Sequence, residues 1–177
     1  MRTVALAAFI SCIGILGANA QKIQEMDASP MDMSVLNDDQ YDTPTMTIIY
    51  SRPQVKGRKI FGDLVPYDQV WRTGANESTE FTTYRPIGIQ GNELPAGNYT
   101  LYTIPGKKEW TVIISSQQFT WGAYDYDQRN DVMRFTVPSI KVKELRENFS
   151  IAISGEGTKG TILMAWEHTE VHIEFQY

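Results

Sequence analysis

The chain has 177 residues, 42% of them hydrophobic, and a formal net charge of −5. That length suits one domain, and the acidic balance excludes a nucleic-acid binder, which needs a net basic surface. A chain of about 150 residues buries close to 70% of its unfolded surface, so the core needs no disulfide staple.

The first element is a targeting segment. Arg2 supplies a positive charge, an apolar run follows from Val4 to Gly17, and Ala18-Asn19-Ala20 closes it with an A-x-A cleavage signal. Residues 1–20 therefore read as a signal peptide, and the exported chain starts at Gln21, in the periplasm or outside the cell. The run falls short of the ~20 apolar residues a spanning helix needs, so no membrane span is expected after cleavage. Loss of Arg2 leaves 15 Lys+Arg against 21 Asp+Glu, a net charge of −6. Cys12 is the only cysteine, so the mature chain has no disulfide, thiol nucleophile or Cys-bound metal. A lipid on Cys12 is disfavoured because the apolar stretch before it is very short.

Residues 21–44 read as a tail with a candidate edge strand, in which Met31, Met33 and Val35 alternate with Asp32 and Ser34. From residue 45 the pattern is all-β. Thr45 to Tyr50 is a strand that stops at Pro53, which cannot continue a central ladder. Gln54 to Tyr67 is a long ordered loop. Val70 to Thr73 and Thr79 to Tyr84 read as strands, and Gln90-Gly91-Asn92 as a hairpin turn after Ile87 to Ile89. Tyr99 to Ile104 and Trp110 to Ser115 form a meander around Pro105-Gly106. Val132 to Val137, Phe149 to Ser154, Thr161 to Trp166 and Val171 to Phe175 add strands, with a hairpin at Gly155 to Gly160. Only Ile140 to Glu147 has a helical look. Short strands with dense turns predict a single-domain antiparallel β-sandwich over 45–177, with a barrel as the alternative. There is no P-loop and no G-x-G-x-x-G after a strand, so nucleotide chemistry has no foothold.

Two basic blocks stand out in this acidic chain. In the first, Arg52, Lys56 and Arg58 lie close together; in the second, Trp71-Arg72 precedes Asn76-Glu77. Arginine offers a planar fork of donors for carboxylates and phosphates, so Arg52, Arg58 and Arg72 are candidates to hold an anion, with Asn76 and Glu77 as polar anchors. The competing reading is that Arg72 pairs with Glu77 or Asp63 and braces a loop. As an open anion pocket, Arg52 and Arg72 would each be removable for under about 1 kcal/mol. Trp71, Trp121 and Tyr124 could present indole and phenol faces to a sugar ring. Trp110 belongs instead to the core, because it alternates with Val112 and Ile114.

Other chemistry is weaker in the sequence. Glu77 with Asp125 or Asp127 would suit glycoside hydrolysis only at the right separation. Ser51 and Ser78 have no histidine nearby in sequence, so no triad is readable. His168, Glu170 and His172 share one face of a strand, but Val171, Ile173 and Phe175 fill the other, so the histidines face solvent. No metal and no cofactor is expected.

Several blocks together resemble a family of exported bacterial proteins catalogued as domain of unknown function 2911. They are Tyr50-Ser51-Arg52-Pro53 with Val55-Lys56-Gly57-Arg58, Phe61-Gly62, Leu64-Val65-Pro66-Tyr67, Val70 to Glu77, Leu94-Pro95-Ala96-Gly97 with Tyr99, Ile104-Pro105-Gly106, Trp110 to Ile113, Trp121-Gly122-Ala123-Tyr124 and Trp166-Glu167. The resemblance covers nearly all of the mature chain but implies no activity and no catalytic residue. Three readings follow: a module for a small anionic or sugar-like ligand near Arg52, Arg72, Asn76 and Glu77; an envelope hydrolase of glycans or esters; or a structural protein without a small-molecule site.

Overall fold

The structure, a computed structural model, describes residues 23, 25–37 and 43–177. The signal segment and the start at Gln21 lie outside the described residues. Among the described residues nine strands form: β1 (Met31–Leu36), β2 (Met46–Ser51), β3 (Thr79–Thr83), β4 (Ile87–Ile89), β5 (Asn92–Leu94), β6 (Gly97–Pro105), β7 (Glu109–Ser115), β8 (Asp131–Glu156) and β9 (Lys159–Gln176). They join in one antiparallel sheet, in the order β1-β2-β3-β6-β7-β8-β9-β4-β5. The sheet is open, so the barrel alternative is set aside, and it folds over on itself as a sandwich.

Period-two alternation builds the core. Ile48, Tyr50, Phe81, Leu101, Trp110, Val112 and Ile114 point inward from β2, β3, β6 and β7. They join Ile162, Met164, Trp166, Val171, Ile173 and Phe175 of β9 in one buried cluster. A cavity of about 10 Å³ lies in the core, lined by Phe81, Ile89, Leu101, Val112, Ile114, Phe135, Ile162 and Ile173. Near-complete filling of this kind is what makes a core sensitive to single methylenes.

Two sequence expectations need correction. Ile140 to Glu147 is not helical; it lies within β8, where the β8–β9 ribbon bends. Pairing runs Ser139↔Val171 to Lys141↔Thr169, then resumes at Arg146↔Glu167, so β8 carries extra residues through the corner. Lys, Glu, Leu and Arg favour a helix locally, but Leu145 is exposed and no apolar face exists to dock one, so the ladder wins. Glu167 takes φ 54° at the same corner. The bend returns the ribbon tip to the end of β9, where Tyr177 N donates to Thr158 O at 3.1 Å. The pairs of short strands read from the sequence, 132–137 with 149–154 and 161–166 with 171–175, are thus the arms of two long bent strands. The second correction concerns Val70 to Thr73, which is not a ladder strand: it makes a single bridge, Trp71↔Thr103.

A single bridge, Gln54↔Asn148, and several side chains stitch the β1–β2 end of the sheet to β8. Ser34 Oγ and Tyr50 OH both donate to Ile151 O. Arg52 Nε donates to Phe149 O at 3.1 Å, its Nη2 donates to Ser150 Oγ at 2.8 Å, and its Nη1 pairs with Asp32 at 2.8 Å.

Candidate functional site

The candidate residues fall into separate groups. Arg52 belongs to the seam just described. Lys56 and Arg58 are exposed on the following loop, where Arg58 Nε donates to Val55 O at 3.1 Å and Lys56 N donates to Glu147 Oε1 at 2.8 Å. Trp71 is only 8% exposed. Its ring stacks on Trp166 at 5.9 Å and 16°, and meets Phe61, Trp110 and Phe149 edge-on. Its Nε1 donates to Gly74 O at 3.1 Å. The tryptophan offered as a sugar platform is therefore a core residue, closing one end of the sandwich with other aromatics.

Arg72, Asn76, Glu77, Trp121 and Tyr124 do come together, where the 71–78 segment meets the β7–β8 loop. Ser78 N donates to Thr120 O and Gly122 N to Asn76 O, each at 3.0 Å, which makes the bridge Glu77↔Trp121. Arg72 Nη1 donates to Asn76 O at 3.0 Å, and its guanidinium lies 5.9 Å from the centre of the Tyr124 ring. Arg72 is thus held by a carbonyl and an aromatic face, not by Glu77 or Asp63 as the bracing reading expected. Gly122 has φ 70°, and a Cβ there would lie 2.8 Å from Tyr124 Cε2 and 3.2 Å from Arg72 Nη1. Glycine is what lets the tyrosine ring lie against this turn.

The loop is rigidly seated. Tyr102 OH and Thr120 Oγ1 are 2.6 Å apart, Thr120 Oγ1 donates to Ser78 Oγ at 2.8 Å, and Ser78 Oγ donates to Gly122 O. Tyr126 lies edge-on to Tyr102 at 5.2 Å, and its hydroxyl donates to Asp131. Burial raises the Tyr126 phenol above its usual range, with the Asp131 carboxylate adding to the effect. Against this scaffold Trp121 is 59% exposed, Tyr124 78% and Phe119 84%. Large aromatic faces left in water on a pinned loop are uncommon in a chain that buries its other tryptophans.

Sequence reasoning missed two members of this surface. Phe119 sits in the left-handed region at φ 56°, a conformation no local motif announces. Asp27, in the segment before β1, accepts a hydrogen bond from Asn76 Nδ2 at 3.0 Å. A hydrogen bond from Ser29 N, with the one from Asn76 second, holds the Asp27 carboxyl below its usual range.

Hydrolytic chemistry finds less here. Asp127 is taken up by Arg129 at 2.5 Å and caps the short 3₁₀ turn Gln128–Asn130. His168 and His172 are exposed, as the strand period predicted, and His172 lies 3.6 Å from Glu170. Among the described residues no group of three or more His, Cys, Asp or Glu side chains is placed to hold a metal ion, and no helix is long and apolar enough to cross a membrane. A wide cleft of about 1250 Å³ between the β4–β5 turn and the β8–β9 tip contains none of the candidate residues.

No curated protein and no solved structure matches the chain. A family model, described as protein of unknown function (DUF2911), matches residues 29–175 and so takes in the strands, the Arg52 seam and the aromatic loop. The chain belongs to that family.

Proposed function

We propose that this is an exported binding module whose β7–β8 loop takes a sugar-like ligand on Trp121 and Tyr124. The observation that supports the reading is the pairing of exposed aromatic faces with a backbone that hydrogen bonds already fix. Rigid, amphipathic rings cost little ordering entropy on binding, and a sugar's C–H face stacks on them. Asn76 and Glu77, on the segment bridged to the loop at Glu77↔Trp121, offer a donor and an acceptor for hydroxyl groups. Arg72 backs Tyr124 and holds it in place. Export rests on the signal sequence, and mass spectrometry of protein recovered from outside the cytoplasm should give a chain starting at Gln21. A retained Met1 or a lipid on Cys12 would refute that.

The binding reading is tested by thermal shift with neutral and acidic oligosaccharides. At a hundred times Kd a ligand adds about 2.7 kcal/mol to the native state, enough to move Tm by several degrees. Wild type should respond to at least one, and Trp121→Ala should abolish the response while keeping its own Tm. An unchanged response in Trp121→Ala, or none in wild type across the panel, would overturn the proposal. Because Trp121 is largely outside the core, its loss is not confounded with unfolding.

A further inference from the structure

The segment before β1 touches the surface just proposed. Asp27 Oδ1 accepts from Asn76 Nδ2 at 3.0 Å and from Ser29 N at 2.7 Å. Asn76 is not free to turn away. It sits at φ 59°, and its carbonyl takes hydrogen bonds from Gly122 N and Arg72 Nη1. Its amide donor is therefore aimed by a backbone that is tied to Gly122, between Trp121 and Tyr124 in the loop, and a carboxylate of the same chain occupies it. The segment is lightly held. Ile23 and Met26 stand almost fully in solvent, so no apolar burial anchors them. Beyond Asp27, firm attachment begins at Pro30, whose carbonyl accepts from Arg52 N at 3.0 Å, and at the β1–β2 ladder.

Resting on the binding reading above, we infer that Asp27 is a built-in stand-in for the ligand. The natural ligand is a carboxylate-bearing sugar, of the uronic acid class, whose carboxylate takes the Asp27 position on Asn76 while its ring lies on the exposed aromatics. Charge supports a carboxylate over a plain hydroxyl. Glu77 follows Asn76, and the Arg72 guanidinium donates to Asn76 O, so exchanging one carboxylate for another leaves the local balance unchanged. A neutral sugar would displace a charge-assisted hydrogen bond and return a weaker one. The residues 25–29 then act as a strap that lowers apparent affinity by the fraction of time the site is closed. One exposed hydrogen bond corresponds to roughly a three- to tenfold effect.

The test is calorimetric titration of the protein with tetragalacturonate and, in parallel, with neutral cellotetraose. Asp27→Ala should bind tetragalacturonate about three- to tenfold tighter than wild type. Asp27→Asn, which keeps an acceptor for Asn76, should gain less. Hydrogen exchange at the Ser29 amide should speed up when wild type binds. Tetragalacturonate affinity unchanged in Asp27→Ala, with Trp121→Ala still abolishing binding, would overturn the strap and leave the binding reading intact. A preference for cellotetraose would overturn the carboxylate. Failure of both probes to bind wild type and Asp27→Ala alike would overturn the inference outright, and the broader oligosaccharide panel would then decide the reading beneath it.

Discussion

Arg52 separates a brace from an empty anion site, and its geometry gives a number. Replacing it by alanine removes donors to Phe149 O, Ser150 Oγ and Asp32. The first two bonds span the seam between β2 and β8 and contribute about 0.5–1.5 kcal/mol each. The ion pair adds less, because the side chains are 34% and 43% exposed and water screens them. Asp32 remains hydrated afterwards, so no buried charge is stranded. The expected loss is about 2 kcal/mol. Urea unfolding reads this directly: with a slope of roughly 2 kcal/mol per molar, the midpoint should fall by about 1 M with the slope unchanged. Repeating the curves with 50 mM phosphate adds the contrast. A brace predicts the same drop with and without phosphate. A drop under about 0.5 kcal/mol, together with phosphate stabilising wild type but not Arg52→Ala, would refute the bracing argument and restore an open anion pocket.

Trp71→Ala should be far more costly, about 3–5 kcal/mol, because it empties the centre of the aromatic cluster and orphans Gly74 O; a loss below about 1.5 kcal/mol by the same urea curves would contradict its core role. Gly160→Ala should destabilise by more than the few tenths expected of an exposed turn, since a Cβ there would lie 2.7 Å from both Phe175 Cε1 and Ser154 O; a Tm equal to wild type would refute the tight return of the ribbon. Burial raises the Tyr50 phenol above its ordinary value, and the bond it donates to Ile151 O needs the proton. Its neutral form is the one the fold favours, so its contribution is complete below the unfolded value and is lost as pH rises through the folded value. Wild-type stability should therefore fall on the alkaline side of pH 10, and Tyr50→Phe should flatten that fall; identical alkaline profiles would count against the seam's dependence on this hydroxyl.

Alternation makes the sandwich legible in the sequence: Trp110 with Val112 and Ile114, or Val171 with Ile173 and Phe175, point one way because a strand permits nothing else. The bend at 142–148 was not readable, since its Lys, Glu, Leu and Arg residues carry helix propensity and the pairing that overrides them lies some twenty residues downstream. Of the candidate site, Arg72, Asn76, Glu77, Trp121 and Tyr124 were legible as unusual residues in turn-like stretches. Their meeting depended on the Glu77↔Trp121 bridge, a contact across more than forty positions that leaves no local trace. Trp71 misled because an exposed and a buried indole look alike in a loop without periodicity. Asp27 could not be found at all: a lone aspartate in a polar tail acquires meaning only from the amide it meets.

The bent ribbon has a consequence for the order of assembly. In the sheet β9 lies between β8 and β4, so β4 and β5, made at residues 87–94, have no ladder partner beyond each other until residues 175 and 176 arrive. The tip of the ribbon likewise waits for Phe175 and Tyr177 to close over it. A separation of nearly ninety residues between a strand and its neighbour makes these contacts expensive to form early. Synthesis from the N-terminus can therefore pair β1, β2, β3, β6, β7 and the first arm of β8, while the β4–β5 edge waits for the last strand. The last two residues of β9 thus decide when that edge of the sheet is complete.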